Sequence, residues 1–209
     1  MKIKVDNLCK TIKNNSILES ISYEFESKKI YGIVGRNGSG KTVFLKILCG
    51  LYSPTTGSVY INDEKVTLDN NYKFNIGALI ENPKFFNDLS GFENLKILAD
   101  IKKEINEEKI ISFLDMFSLK NDMNKKYGKY SLGMKQKLGI IQAIMEDQKI
   151  IILDEPFNGV EESTVKIIKD YLKEEVKKDK IIIITSHIKD DLENLVDKTI
   201  KFDNGKLIK

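Results

Sequence analysis

Arginine is almost absent from this chain: Arg36 is the only arginine among its 34 Lys and Arg residues. Arginine is the side chain that binds phosphate and guanine through two parallel hydrogen bonds, and it supplies the finger that stabilises many phosphoryl transfers. The net charge of +3 is also close to balance. We therefore expect no nucleic-acid partner, and no arginine finger from anywhere except the segment around Arg36.

Cysteines and long apolar runs are scarce as well. Cys9 and Cys49 show no spacing typical of a metal or redox site, which favours buried thiols in a reducing compartment. The first residues lack the apolar core of a signal peptide. The longest purely aliphatic runs, 150–153 and 181–184, are far shorter than the ~18 residues of a membrane span. We expect a chain that is soluble by itself, with buried strands at these runs.

A glycine-rich segment at residues 35–42 has the complete pattern G-x-x-x-x-G-K-T of a phosphate loop. The context fits, because an apolar strand is predicted at 30–34 and a helix at 42–48. Glycines let backbone N–H groups turn toward a phosphate, and the helix N-terminus favours the same anion. The residues predicted to bind a nucleoside triphosphate are Gly35, Arg36, Asn37, Gly38, Ser39, Gly40, Lys41, Thr42 and Val43.

Two residues of this loop have distinct predicted roles. Lys41 would reach the β- and γ-phosphates, and the Thr42 hydroxyl would ligate Mg²⁺. The alternative interpretation is a glycine-rich turn without a ligand, which leaves the match at all four specified positions unexplained.

The order of predicted elements indicates one α/β domain over residues 1–209, with a helical insertion at about 83–130. Ser90 and Glu93 form a capping-box pattern within the insertion. Strands are predicted at 3–5, 20–26, 57–62, 149–153, 180–185 and 199–202. An Asn204-Gly205 turn is predicted after the last of these strands. Helices are predicted at 107–117, 131–145, 160–178 and 188–196. The later strands are apolar throughout, which is typical of a parallel sheet covered on both faces.

Three polar residues follow two of the buried strands. Asp154 and Glu155 follow the strand at 149–153, and His187, the only histidine, follows the next. Because ligands bind outside the carboxyl ends of parallel strands, these side chains are expected near the phosphate loop. Asp154 is predicted to hold Mg²⁺. Glu155, whose side chain points the opposite way along the strand, is predicted to orient or deprotonate an attacking water. His187 is predicted to donate to the γ-phosphate and to that water. The alternatives are two acids that cap a turn and a histidine without a catalytic role.

The order of motifs resembles that of the nucleotide-binding subunits of ABC transporters over nearly the whole chain. The motifs are the phosphate loop, the helical block, Ser131-Leu132-Gly133-Met134-Lys135-Gln136, Leu153-Asp154-Glu155-Pro156 and Thr185-Ser186-His187. The resemblance implies a P-loop ATPase fold with a mixed central sheet, an antiparallel N-terminal β part and an inserted helical subdomain. It further implies hydrolysis of ATP with Mg²⁺ by a homodimer, or a heterodimer with a similar subunit. Separate transmembrane permease subunits would hold this dimer on the cytoplasmic, inner face of the cell membrane.

Ser131 and Gly133 belong to the signature motif of this family. By resemblance, they contact the γ-phosphate that the other subunit binds, whereas Ser131 taken alone is simply a good helix N-cap. The motif departs from LSGGQ at three positions but retains this Ser and Gly. The length of 209 residues is expected to leave no room for a fused membrane domain.

Three other positions depart from the family pattern. Glu81 stands where the family usually has a glutamine that links the metal to the transmembrane subunit, and a carboxylate can also ligate Mg²⁺. The alternative is an exposed loop acid. Together with SLGMKQ, Glu81 resembles the subgroup that exports antimicrobial peptides, such as bacitracin and lantibiotic self-protection transporters. Glu161 replaces an aspartate, and Ile12 stands where an adenine-stacking aromatic is expected, which predicts weaker base stacking.

Four acids, Asp154, Glu155, Glu81 and Glu161, are expected to form one acid-rich site. Mutual repulsion there is expected to raise at least one of their pKa values unless Mg²⁺ neutralises it.

The alternative function is a soluble ABC ATPase with an assembly or scaffold role and no membrane partner. It shares every catalytic residue, so only co-purification with membrane subunits distinguishes the two. DNA-repair and chromosome-type ATPases are disfavoured because no heptad coiled coil interrupts the chain. A GTPase is disfavoured because no Asn-Lys-x-Asp motif follows a strand.

Overall fold

The computed structural model describes residues 1–81 and 84–208, which fold around two β-sheets. Pro83, where the predicted helical insertion begins, lies outside the described residues. The strands are β1 (Lys2–Ile12), β2 (Asn15–Glu26), β3 (Lys29–Val34), β4 (Thr56–Ile61), β5 (Glu64–Lys65), β6 (Ile76–Leu79), β7 (Ile150–Leu153), β8 (Ile181–Ser186), β9 (Lys198–Asp203) and β10 (Lys206–Ile208). The helices are α1 (Lys41–Leu48), α2 (Gly91–Lys102), α3 (Glu107–Met116), α4 (Leu132–Ile144) and α5 (Glu162–Val176).

The larger sheet has the strand order β10-β9-β3-β8-β7-β6 and is parallel except for β10. β7 and β8 are buried at every position, as their aliphatic sequences predict. Because successive side chains face opposite sides of a strand, Ile150 and Ile152 enter one core cluster and Ile151 and Leu153 the other. The parallel strands bring the carboxyl ends of β3, β6, β7 and β8 to one edge, where the predicted site residues follow them.

The helix α1 lies between the two sheets. The smaller sheet, of order β2-β1-β4-β5, is antiparallel and shares a core cluster with α1 and one face of the larger sheet. Phe44 of α1 packs against Phe25 of the smaller sheet and Phe202 of the larger, with ring centroids 6.4 and 5.1 Å apart. This packing on both sides fixes α1, and with it the phosphate loop that precedes the helix.

Two local predictions are confirmed at atomic detail. The Ser90 hydroxyl accepts from the Glu93 N–H (3.1 Å) and the Glu93 carboxylate accepts from the Ser90 N–H (2.7 Å), which completes the capping box. Asn204 and Gly205 have φ angles of 45° and 75° between β9 and β10, as expected of a tight hairpin turn.

The predicted helix at residues 188–196 is wrong. The segment contains a short 3₁₀ turn, Asp190–Leu192, and Asn194 has a left-handed φ of 57° that prevents a helical continuation. The Ser186 hydroxyl donates to the Asp191 carboxylate at 2.9 Å. Such local side-chain hydrogen bonds compete with regular helical structure.

Two strands of the larger sheet, and the two-residue β5 of the smaller sheet, were not predicted from the sequence. β6 has four residues and β10 has three, so neither is long enough to display a clear period. Both lie at the edges of the larger sheet and extend it on either side.

Both cysteines are free, and the prediction of buried thiols is confirmed for Cys49 only. Burial raises the pKa of Cys49 to about 12. Cys9 is half-buried because it lies where the pairing of β1 with β2 is irregular.

Candidate nucleotide-hydrolysis site

The phosphate loop connects β3 to α1 and turns at two glycines. Gly38 and Gly40 have φ angles of 79° and 101°, a conformation that other residues rarely adopt. A Cβ on Gly40 would also lie 2.8 Å from the Leu18 side chain and 2.9 Å from the Ile17 carbonyl oxygen. The local sequence therefore dictates a tight loop that runs directly into the helix.

The loop and the first turn of α1 have the features of an anion site. Gly40 caps the helix without a side-chain hydrogen bond, and the first intrahelical bond is that from Phe44 N–H to Gly40. The N–H groups of Lys41, Thr42 and Val43 precede that bond, so they lack the usual intrahelical acceptors. The buried Ser39 hydroxyl has no hydrogen-bond partner among residues 1–81 and 84–208. A buried hydroxyl, unsatisfied helix N–H groups and a positive dipole end fit a phosphate group.

The Lys41 ammonium is buried at the centre of this loop. It donates to the Gly35 carbonyl oxygen (2.6 Å) and the Arg36 carbonyl oxygen (3.2 Å). It also lies 3.7 Å from the Glu155 carboxylate. Arg36, Asn37 and Gly38 are exposed, on the outer side of the turn.

Asp154 links three elements at the carboxyl edge of the sheet. Its carboxylate accepts from the Thr42 hydroxyl (2.7 Å) and from the Thr185 hydroxyl (2.5 Å). Its N–H donates to the Leu79 carbonyl at the end of β6 (2.7 Å). The Thr42 and Asp154 oxygens are ligands of the kind that Mg²⁺ prefers.

Glu155 is held by both cationic and imidazole groups, and its backbone is left-handed. Its φ is 49°, and β7 ends two residues earlier, at Leu153. The prediction that the alternation of side chains along the strand sets the direction of the Glu155 side chain is therefore wrong. One carboxylate oxygen lies 2.8 Å from Nδ1 of His187 and 3.3 Å from the His187 backbone N. The other faces Lys41, and the backbone carbonyl accepts from Gln136 (3.2 Å). A positive φ in a residue other than glycine, fixed by these partners, is frequent at functional sites.

Thr185 is a site residue that the sequence interpretation missed. It is fully buried in β8, donates to Asp154 and accepts from the Glu155 N–H (2.9 Å). Its single hydroxyl therefore positions both acids. The signal in the sequence was a polar residue at the end of an aliphatic strand, where it is the first residue of the motif Thr185-Ser186-His187.

We expect Thr185→Val to lower both stability and turnover. Loss of the hydroxyl leaves the buried Asp154 oxygen and Glu155 N–H without this partner, which costs about 1–3 kcal/mol. Misplacement of the two acids is expected to reduce hydrolysis on the order of 10²-fold. Thermal melting and steady-state hydrolysis measure the two effects. Thr185→Ser keeps the hydroxyl and is the matched control; equal losses in both variants would assign the effect to packing.

Ser131 and Gly133 start the helix α4 and contact another loop of the same chain. The Ser131 hydroxyl accepts from the Met134 N–H at 3.2 Å, so the N-cap interpretation is confirmed. A Cβ on Gly133 would lie 2.7 Å from the Gly159 carbonyl oxygen, in the loop after Glu155. Leu132 between them is 69% exposed. The described contacts of Ser131 and Gly133 are not with the phosphate loop of their own chain.

The expected acid-rich cluster does not form. Glu155 pairs with Lys41 (3.7 Å), Glu81 with Lys46 (2.8 Å) and Glu161 with Lys137 (2.5 Å). Hydrogen bonding to Lys137 lowers the pKa of Glu161, the opposite of the shift that mutual repulsion would give that residue. Within the two described ranges, no group of three or more His, Cys, Asp or Glu side chains is arranged to hold a metal ion.

Ile12, in the position expected for a base-stacking aromatic, is half-buried at the end of β1. The turn that follows it contains Lys13 and Asn14, both with positive φ and both exposed.

The strand, glycine loop and helix, with Asp154 at the carboxyl end of β7 two strands away from β3, define the class of P-loop nucleotide-binding proteins. The profile of the family described as ABC transporter matches residues 18–158. The chain belongs to the ABC transporter family of ATP-binding ATPases. The predicted family and the predicted mixed-sheet ABC ATPase fold are thereby confirmed.

Several proteins are similar to this chain over almost its whole length. The uncharacterized ABC transporter ATP-binding protein YybJ of Bacillus subtilis is 43% identical, over 98% of this chain and 94% of the relative. The bacitracin transport ATP-binding protein BcrA of Enterococcus faecalis is 35% identical, over 99% of this chain and 68% of the relative. The lantibiotic transport ATP-binding protein SrtF of Streptococcus pyogenes is 32% identical, over 99% of this chain and 89% of the relative.

Solved structures share the fold. The dimeric ATP-binding cassette MJ0796, in a post-hydrolysis state with ADP and Pi, has a TM-score of 0.88 and 22% identity, over 99% of this chain and 97% of that chain. In the part of this chain that the structure describes, no helix has the length and apolar content needed to cross a bilayer.

Proposed function

We propose that this chain is the ATP-hydrolysing subunit of an exporter whose transmembrane part is a separate chain. The proposed cargo is an antimicrobial peptide of the bacitracin or lantibiotic type. The observation that carries the proposal is the similarity to BcrA and SrtF over 99% of this chain. Glu81 adds support, because it replaces the usual glutamine as in the peptide-exporting subgroup that the motifs resemble.

ATP binds, in this proposal, to the groups that the loop and α1 present. Lys41 and the amides of residues 35–43 hold the phosphates. Thr42, Asp154 and Glu81 supply oxygen ligands to Mg²⁺, which provides positive charge against the phosphate oxygens. The partly buried Thr42–Asp154 hydrogen bond supports this role, because it already places two of these oxygens together.

Glu155 is the proposed general base. Its carboxylate is held between Lys41 and His187, so it is oriented before a water arrives. Glu155 takes the proton of that water as the water attacks the γ-phosphate, and the bond from the γ-phosphorus to the β,γ-bridging oxygen breaks to release ADP. His187 uses Nδ1 for Glu155, so Nε2 is the nitrogen left to donate to the γ-phosphate.

A second subunit completes each site in the proposed dimer. Ser131 and Gly133 of one copy cover the γ-phosphate held by the other copy, with the N-terminus of α4 as the source of positive potential. Such a helix end fits a chain whose only arginine lies in the phosphate loop. The second copy is either this same chain or a similar one. The proposed location is the cytoplasmic face of the cell membrane, bound to the transmembrane subunits.

Affinity purification from detergent-solubilised native membranes tests the transport role. We expect an integral membrane protein to co-purify with the tagged chain. We also expect deletion of the gene for this chain to lower resistance to a peptide antibiotic. Complementation by the wild type, but not by Glu155→Gln, would tie resistance to hydrolysis. ATPase activity in a preparation that holds no integral membrane protein, together with unchanged resistance, would support an assembly or scaffold role instead.

A further inference from the structure

Lys46 lies on the nucleotide-facing side of α1 but does not belong to the phosphate loop. It follows Thr42 by four residues, so the two side chains lie on the same face of the helix, one turn apart. Thr42 is hydrogen-bonded to Asp154, so Lys46 is the next cation along this face from the proposed Mg²⁺ ligands. The Lys46 side chain is only 18% exposed, although lysine is normally a surface residue.

Glu81 contacts Lys46 from the segment that follows β6. It follows β6 by two residues and has a left-handed φ of 59°. The end of β6 is adjacent to Asp154, because the Leu79 carbonyl accepts from the Asp154 N–H at 2.7 Å. The Glu81 carboxylate accepts from Lys46 at 2.8 Å and is 61% exposed. The acid therefore follows a strand end that adjoins Asp154, and its carboxylate is bound to Lys46.

The surroundings of Lys46 keep its ammonium charged and confined. The Tyr52 ring lies 5.1 Å from the ammonium, and the backbone carbonyl of Lys46 accepts from the Leu51 and Tyr52 N–H groups. The hydrogen bond to Glu81 is the main cause that raises the pKa of Lys46. An ammonium group held at this place can form an ion pair with a carboxylate within its reach.

We infer that Lys46 is a positioning residue that competes with Mg²⁺ for the Glu81 carboxylate. This inference rests on the proposed role of Glu81 as a metal ligand. In one arrangement, Lys46 holds the carboxylate one helical turn away from Thr42. In the other, the carboxylate turns toward Thr42 and Asp154, and Lys46 loses its partner. An ion pair as exposed as this one is weak, so a divalent cation can displace the lysine.

The geometry predicts how Mg²⁺ dependence changes when Lys46 is altered. Lys46→Met keeps the apolar stem and removes the ammonium, so Glu81 is released. We expect the Mg²⁺ concentration for half-maximal binding of a fluorescent ATP analogue to fall about two- to fivefold, the range set by the strength of an exposed ion pair. Lys46→Arg retains the charge and should stay near the wild type. Lys120→Met, which removes an exposed ion pair with Asp115 in the helical insertion, is the matched control.

A double-mutant comparison separates competition from a general charge effect. Glu81→Gln is expected to raise the Mg²⁺ requirement, and Lys46→Met is expected to have no further effect in that background. An equal shift in both backgrounds would mean that Lys46 acts on the cation directly, and would overturn the inference. A higher Mg²⁺ requirement in Lys46→Met would also overturn it.

The same experiment distinguishes failure of this inference from failure of the proposed role of Glu81 as a metal ligand. If Glu81→Gln leaves Mg²⁺ dependence unchanged, the Glu81 carboxylate contributes no more to Mg²⁺ binding than a neutral amide oxygen, and both its proposed ligand role and the competition fail. If Glu81→Gln raises the requirement while Lys46→Met matches the wild type, only the competition fails. Thermal melting of each variant without nucleotide confirms that the comparison is made between folded proteins.

Discussion

Glu155→Gln is expected to retain binding of ATP with Mg²⁺ while hydrolysis falls by about 10²–10⁴-fold, the usual contribution of a general base. The amide has nearly the same shape as the carboxylate and preserves contact with His187. It cannot accept the proton of an attacking water. Because binding persists without turnover, the proposed dimer should accumulate and elute as a larger species in gel filtration.

The measurements for this variant are steady-state hydrolysis, calorimetric binding and gel filtration with excess nucleotide. Glu162→Gln, a change of the same chemistry at an exposed position in the first turn of α5, should behave as the wild type. A Glu155→Gln protein that binds ATP with Mg²⁺ but elutes only as a monomer would count heavily against the proposed dimer. Turnover near that of the wild type would remove Glu155 as the base.

His187→Ala is expected to lose most ATPase activity, on the order of 10²-fold, because Glu155 loses the partner that orients its carboxylate. The imidazole is 38% exposed, and its Nδ1 contact is with the Glu155 carboxylate. Removal of the ring should therefore leave the melting temperature without nucleotide unchanged within about 1–2 °C.

His187→Asn is the informative companion variant, because its amide can place a donor near the position of Nδ1. We expect partial recovery of turnover if orientation of Glu155 is the main role of the ring. If recovery is absent while Ala and Asn melt alike, donation by Nε2 is the larger role. Near-normal hydrolysis by His187→Ala would exclude this residue from the site.

Features with strong local signals were predictable from the sequence. The wholly aliphatic runs at 150–153 and 181–184 predicted two central strands, because only a sheet covered on both faces buries every side chain. The phosphate loop was recognisable because its glycines must occupy special backbone angles. The capping box of Ser90 and Glu93 has a fixed spacing, and this local geometry appears unchanged in the fold.

Features decided by tertiary contacts were not predictable. The apolar residues of 188–196 recur at helical spacing, but side-chain hydrogen bonds and the left-handed Asn194 give a turn. The direction of the Glu155 side chain follows from its left-handed φ and from the hydrogen bond between its N–H and the Thr185 hydroxyl. The residue pattern of β7 indicates neither of these. The pairing of Glu81 with Lys46 and of Glu161 with Lys137 joins residues far apart in the chain.

Three contacts bind the start of α4 to the loop that follows the catalytic acids. Gln136 donates to the Glu155 carbonyl, Lys137 pairs with Glu161, and Gly133 packs against the Gly159 carbonyl. In the proposed dimer, one end of this unit would touch the nucleotide of the neighbouring copy, and the other would carry the base for the nucleotide of its own copy. A displacement at either end would move the whole unit. Occupancy of one site would then alter the rate at the other, so hydrolysis should rise sigmoidally with ATP concentration.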